Sequence, residues 1–547
     1  MKRRFWVILT ALVLSSALCV SASAMSIFVE LPGGEETVTL EVESGDSMDN
    51  VREKLAQKDA RTAQWWLSDG GSYLAYGRTL GEYNIQKEST LQLNASKEVR
   101  VSTKDQVLSA VQDNAVQVVT LDADIRIDRS LRIARALTLD LNGHVLRYGE
   151  NVRSSVILVE AGGQLTVIDS DPSAKHQFTP NADGLWVLDE NGSKTVSGGV
   201  ITGGTGKDTA SPGGMAEYRG GGVYIQTGGS LTMEGGNIVG CTAHDGGGVC
   251  AEGTFTMNSG SIVGCLAYRG TENHAEGGGV FVVGGAFAMS GGSIRHCTAY
   301  GTPSSGGGVQ LNNEGSFTLS GSAEIRACRC IAPSNRARGG GVFVTSGCTF
   351  TMRGGSIAEC TVQSGDPGSA LGGGSFCNEG GTLYANGGEI AGDVLNGAPG
   401  ANPGRITGAG GTVFSGSVTN CKYDDEDLSV IESGIFTGTV INNASITGGD
   451  FSGVKSLTNA NGGSASFSVT FDANGGSAVA ETATVLYGGT LVAPVTAKTG
   501  YLLDGWYNGT VKWNFITDTV RASMTLRAKW VICDHSGNTA RPTCTDS

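Results

Sequence analysis

Charge is scarce in this chain. Only 16% of its 547 residues are Asp, Glu, Lys or Arg, and the balance is acidic, with a formal net charge of −14. Such a chain is poorly matched to nucleic acid or to anionic membrane surfaces, so neither is expected as a partner. Long apolar runs are also missing. Beyond residue 24 no stretch reaches the roughly 18 apolar residues of a membrane span, and no transmembrane segment is expected in the mature chain. The i, i+3, i+4 spacing of a helical solenoid is absent from the glycine-rich middle of the chain. The six histidines fall at no repeated spacing. No paired carboxylates recur where glycoside hydrolysis would need them facing one cleft. Catalytic, cofactor-binding and metal-ligating residues are accordingly expected to be none, with no cofactor.

Glycine, by contrast, is abundant at 86 residues, and it is organised. Between residues 219 and 396 a triple glycine at Gly220 returns at Gly246, Gly277, Gly306, Gly339 and Gly372, in steps of about 26 to 33 residues. Between the glycines, apolar residues alternate in short runs: Val223 and Ile225, then Leu231 and Met233, then Ile238. Leu231 and Met233 are matched by Phe255 and Met257, Phe287 and Met289, Phe317 and Leu319, and Phe350 and Met352. Ile238 is matched by Ile262, Ile294, Ile325, Ile357 and Ile390. Period-two alternation gives each strand one inward and one outward face. Three such strands per repeat, with glycine corners able to take positive φ, predict one rung of a coil whose like residues stack inside at about 4.8 Å. The predicted fold is mainly β, a parallel β-helix solenoid, and the pattern resembles right-handed β-helix proteins of the pectate-lyase-like superfamily. Length varies only between the third strand and the next triple glycine, which places one row of loops along a single edge.

The outward strand positions Tyr224, Thr232, Thr256, Thr318 and Thr351 carry hydroxyls rather than acids. Cys241, Cys265, Cys297, Cys328 and Cys360 occupy one rung position, three residues after the ladder isoleucine. A buried thiol ladder is the expectation, with inter-rung disulfides or a metal as the alternatives. Asp424, Asp425, Glu426 and Asp427 form the one acidic cluster, expected in a solvated loop, with weak calcium binding as the alternative. Asn142-Gly143-His144 reads as a turn.

Residues 1–24 read as a secretory signal: Lys2, Arg3 and Arg4, an apolar core from Phe5 to Val20, and Ala22-Ser23-Ala24 as the cleavage site. Residues 25–98 form a different domain. Two alternating strands around Gly33-Gly34 predict a hairpin, and Val51 to Leu55 begin an amphipathic helix. The run from Gly77 to Leu93, with Arg78, Thr79, Leu80, Tyr83, Asn84, Ile85, Gln86, Lys87, Glu88, Ser89, Thr90 and Leu91, resembles ubiquitin, which implies the β-grasp fold. Ubiquitin's apolar receptor patch falls here on about Pro32, Ser68 and Asn94, and the chain runs on through Ala95 to Arg100 where ubiquitin ends in two glycines. The resemblance therefore implies a folded module without receptor anchors and without a conjugation terminus.

Residues 99–457 are assigned to the β-helix, opened by a capping helix in which Thr103 and Gln106 form a capping box. Pro172 to Asn191 is expected as a long loop or lateral hairpin. Residues 458–466, rich in Gly, Ser and Asn, are expected as a linker. Within 467–530, Val469-Thr470-Phe471-Asp472-Ala473-Asn474-Gly475-Gly476, Tyr487-Gly488-Gly489, Gly500-Tyr501-Leu502-Leu503-Asp504-Gly505-Trp506-Tyr507 and Leu526-Arg527-Ala528-Lys529-Trp530 resemble a Listeria–Bacteroides repeat of the internalin B-repeat type. This implies a small β-grasp-like module of bacterial surface proteins. Residues 531–547, with Cys533, Asp534, His535 and Cys544, are expected as a flexible tail or a truncated further repeat with no sorting motif, a cysteine/histidine metal site being the alternative.

The expectation is a secreted or envelope-associated, non-enzymatic bacterial protein whose shaft binds a glycan or an extracellular protein. A carbohydrate-active β-helix enzyme is the alternative, and a ubiquitin mimic acting on a host is a third reading.

Overall fold

The structure is a computed structural model. It describes residues 24–34, 36–59, 62, 65–74, 78–94, 97–149, 153–209, 217–270, 273–365, 372–397, 402–422, 428–480 and 482–533. The signal segment before Ala24, the acidic cluster at 424–427 and the tail beyond Cys533 lie outside these residues. The chain divides into two compact units, one of residues up to 99 with 113–116, the other holding the remainder.

In the first unit Met25–Glu30 and Thr37–Val42 pair antiparallel, with Ile27 opposite Leu40 and Val29 opposite Val38. Thr90–Asn94 then runs parallel to the first strand, and Trp66–Asp69 joins antiparallel on its other side. The helix Met48–Lys58 is capped by Ser47, whose hydroxyl accepts from the Asn50 N–H. It lays Met48, Val51 and Leu55 on the sheet, in one core with Leu80, Ile85, Leu91 and Leu93. This is the β-grasp order. A buried ion pair ties in the 113–116 segment: Arg52 meets Asp113 at 2.6 Å.

The second unit is the coil, and its inward residues stack as their spacing predicts. Leu231, Phe255, Phe287, Phe317 and Phe350 are register partners in successive rungs. So are Ile238, Ile262, Ile294, Ile325, Ile357 and Ile390. The four phenylalanine rings lie nearly parallel at 4.6, 4.7 and 5.0 Å, because parallel in-register strands leave each ring directly over the last. Farther along, a second ladder is polar. Asn378, Asn396, Asn420, Asn442 and Asn459 hydrogen-bond in sequence, each side-chain amide donating to the next carbonyl oxygen at 2.8–3.0 Å. Their spare N–H groups reach backbone carbonyls, so the buried amides are satisfied.

The triple glycines turn the corner before the first strand of each rung. Gly246 has φ of 67°, and a Cβ on Gly247 would lie 2.5 Å from the Gly278 carbonyl, so side chains are shut out by the neighbouring rung. The last triplet shifts register by one residue. Its positive-φ corner is Gly373 rather than Gly372, which meets nothing within 4 Å.

The five aligned cysteines are free, buried thiols. Each Sγ points at the backbone, as with Cys297 to the Ile262 carbonyl at 3.6 Å and Cys328 to the Ile294 carbonyl at 3.6 Å. Burial pushes Cys241, Cys297 and Cys328 well above the usual thiol range. The inter-rung disulfides held as an alternative do not form.

The capping box closes as expected: Thr103 and Gln106 exchange bonds at the start of Lys104–Ala110. Residues 172–197 form a lateral antiparallel sheet, Lys175–Pro180, Trp186–Leu188 and Lys194–Ser197. Its Phe178, Trp186 and Val196 cover the outward residues Val145, Val200, Val239 and Val263.

The expected linker at 458–466 is corrected. Ser456–Asn459 pairs with Thr439–Asn442, Ser464 and Ala465 pair with Ser445 and Ile446, and Asn459 ends the asparagine ladder. Asn461 and Gly462, both at positive φ, make an ordinary rung corner between them. One strand, Ser464–Asp472, leaves the coil and becomes the first strand of the C-terminal repeat, pairing with Thr482–Leu486 and Met524–Ile532. The phenylalanine stack Phe414, Phe436, Phe451 runs on to Phe467 of that strand. Gly, Ser and Asn are as much the composition of a rung corner as of a linker.

Candidate functional site

The loops that vary in length build a lateral fin rather than a row of loose turns. Outbound strands Leu266–Tyr268, Thr298–Tyr300 and Arg329–Ala332 stack in parallel. Return strands Ala275–Glu276, Ser304–Ser305 and Ala337–Arg338 do the same. Between them lies a core of small side chains, Ala267, Ala275, Ala299, Cys330, Ala332 and Ala337. Alternation on the return strands turns Ala275 and Ala337 into this core and sends Glu276 and Arg338 to the other side. There they face the outward row of the first rung strands, forming a groove along the shaft.

One wall of the groove is a column of single residues, one per rung: Arg219, Asp245, Glu276, Ser305 and Arg338. The floor is the column Tyr224, Cys250, Phe281, Gln310, Phe343 and Cys377. Tyr224 was expected on an open outward face. It is outward, but it is only 5% exposed, packed in a row with Leu158, Cys250 and Phe281. Thr232, Thr256, Thr318 and Thr351 lie elsewhere, half-buried on the second face.

Toward its N-terminal end the groove is closed by charge. The Arg219 guanidinium meets Glu217 at 3.0 Å, Glu252 at 3.0 Å and Asp245 at 3.9 Å. Burial, reinforced by Glu276 in the next rung, pushes Asp245 up to about 7 against the pull of Arg219 and Arg269. Toward the other end the groove opens into a cleft of about 390 Å³, lined by His274, Glu276, Arg338, Phe343, Glu379 and Asn402 among others. Here Arg338 pairs with Glu379 at 3.0 Å, and its guanidinium lies 5.7 Å from the centre of the Phe343 ring. Burial pushes both Glu276 and Glu379 above the usual carboxylate range, although Arg338 opposes it at each. Gln310 is fully buried in the floor, and neither its amide nitrogen nor its oxygen has a partner.

None of these groove residues was singled out as a site from the sequence. The signal was a column: the residue just before each of the first five triple glycines. Its members differ in type, so a search for one repeated residue passes over them. His144, in the predicted turn, follows the left-handed Asn142 and Gly143. Among the described residues no group of three or more His, Cys, Asp or Glu is placed to hold a metal ion. Cys533 is disulfide-bonded rather than a free ligand.

In the first unit the ubiquitin patch positions are polar and turned on each other. Ser68 is buried, and the Asn94 amide donates to its hydroxyl at 2.9 Å.

Family models agree with the two terminal modules. Residues 27–98 match the ubiquitin family, and residues 467–529 match the Listeria-Bacteroides repeat domain. The latter is typical of bacterial surface proteins, and among the described residues no helix is long and apolar enough to cross a membrane. The combination is that of a surface-type protein.

Proposed function

We propose that this is an exported, envelope-associated bacterial protein without catalytic activity, whose β-helix shaft binds a glycan or an extracellular protein through the lateral groove. The observation that carries the reading is the column from Arg219 to Arg338, which sets one polar side chain on each of five successive rungs beside a floor that includes Tyr224, Phe281 and Phe343. A repeating lattice of such groups suits an extended ligand laid along the shaft, with many weak polar contacts rather than one reacting centre. Export is supported by the basic, then apolar, then small-residue order of residues 2–24.

A specific observation favours the enzymatic alternative as second reading. Asp245 and Glu276 sit on adjacent rungs, and Asp245 is pushed to about 7, within the range of a general acid. Against it, Asp245 is buried under Arg219, whose guanidinium is already shared among three carboxylates. Incubating the full chain with polysaccharides and host glycans, followed by product analysis, separates the two. Binding without cleavage is expected, and reproducible cleavage lost in Asp245→Asn would replace the binding reading with a hydrolase. For the third reading, a host mimic, the polar Ser68–Asn94 pair predicts no measurable binding to ubiquitin receptors.

A further inference from the structure

The open end of the groove carries a preference for one chemical class of ligand. Resting on the binding function proposed above, we infer that the cleft between Glu276 and Arg338 takes an uncharged sugar residue of a glycan, holding its hydroxyl groups between a free carboxylate acceptor and a fixed guanidinium donor.

The acceptor is Glu276. It lines the cleft, and its carboxylate makes no hydrogen bond or ion pair with any described residue. Its oxygens reach solvent in the open cleft, and a ligand bearing N–H or O–H groups can take the place of the water there. The donor is Arg338. Glu379 holds it at 3.0 Å and the Phe343 ring supports its plane, so it is set in place before a ligand arrives. Ser305 stands between them in the wall, which puts Glu276 and Arg338 two rungs, about 10 Å, apart along the shaft. The cleft volume of about 390 Å³ lies near the low end of ligand pockets. That is room for one sugar ring, with the chain continuing along the groove.

Charge narrows the class further. An anionic sugar would meet Glu276 and Glu379, and the nearest cation, Arg338, is already committed to Glu379. A cationic sugar or a lysine side chain would meet Arg338, with Arg269 and Arg219 also acting on Glu276. His274, whose burial and arginine neighbours push it below its ordinary value, adds a neutral ring rather than a charge. Hydroxyl groups can donate to Glu276 and accept from Arg338 without carrying net charge into this mixed field. Asn402 at the rim offers both functions at once.

The test uses the full chain on an array of neutral, uronic-acid and amino-sugar oligosaccharides, followed by titration calorimetry of any neutral hit. Expected are retention of neutral oligosaccharides, little dependence of affinity on salt, and a loss of at least tenfold in Glu276→Ala with an unchanged melting curve. Glu276→Gln, which keeps one acceptor, should restore part of the loss. Retention of only uronic-acid or amino-sugar chains, weakened by salt and by Glu276→Ala, overturns the ligand class and leaves groove binding standing. Neutral binding indifferent to Glu276→Ala overturns the groove itself. Capture of a protein ligand sensitive to Glu276→Ala, with no neutral glycan retained, likewise overturns the sugar assignment.

Discussion

At the scale of single residues, the coil divides its positions sharply into those that tolerate charge and those that do not. Ile294 has no exposed surface and sits between Ile262 and Ile325. Ile294→Asp should cost on the order of 4 kcal/mol, because the dry ladder offers no partner for a carboxylate. Thr256→Asp, at a half-exposed position in the preceding rung, should change the urea midpoint little. Equal losses from both would show the register to be wrong. Asp245 gives a pH test. Its carboxyl is raised in the fold to about 7 from an ordinary value near 3.9, so the folded state holds its proton more tightly than the unfolded one. Its contribution to stability is complete below about pH 4 and is lost as pH rises toward 7. Thermal melts between those limits should fall for the wild type, by an amount on the order of a few kcal/mol, and fall less for Asp245→Asn. Identical slopes would place the titration elsewhere, Glu276 being the nearest candidate.

At the scale of the element, ladders replace a conventional core, and they set what could be read in advance. The Phe, Met, Ile and Cys columns were legible because an inward position demands the same bulk on every rung, so the chain repeats itself. The asparagine ladder is not legible in this way. Asn378 stands in the last triple-glycine rung, and Asn396, Asn420, Asn442 and Asn459 fall where the triplet has lapsed and the rungs shorten, so an asparagine there is easily taken for turn chemistry. Asn420→Ala should cost about 1–3 kcal/mol, since it removes the bonds to the Asn396 amide and the Asn442 carbonyl and leaves those groups only their longer backbone partners, as chemical denaturation would measure. The groove was the least legible part. Its wall is charged but varied, and nothing in Arg219, Asp245 or Ser305 alone tells that the fin folds back to align them. The ubiquitin-like unit was readable almost whole, because Ile27, Val29, Leu40 and Leu91 keep the apolar positions of its sheet and all are buried. The Asp113 anchor to Arg52 lies outside the matched run and gave no such signal.

At the scale of the whole molecule, the second unit has no seam where one was expected. Because Ser464–Asp472 serves both the last rung and the C-terminal repeat, replacing residues 458–466 by a flexible Gly/Ser segment should lower the melting temperature of the shaft and the repeat together. Unchanged melting of both would restore the linker. The shared strand also bears on how the protein would respond to a pull. A load applied at the repeat enters the coil through Phe467 and the pairing at Ser464 and Ala465, with no slack segment to take up extension first. In a stack where each rung touches only its neighbours, tension from that side would peel the shaft one turn at a time from its C-terminal end. The cleft at Glu379, four rungs in from the last strand of the shaft, would keep its grip until the last of those turns gave way.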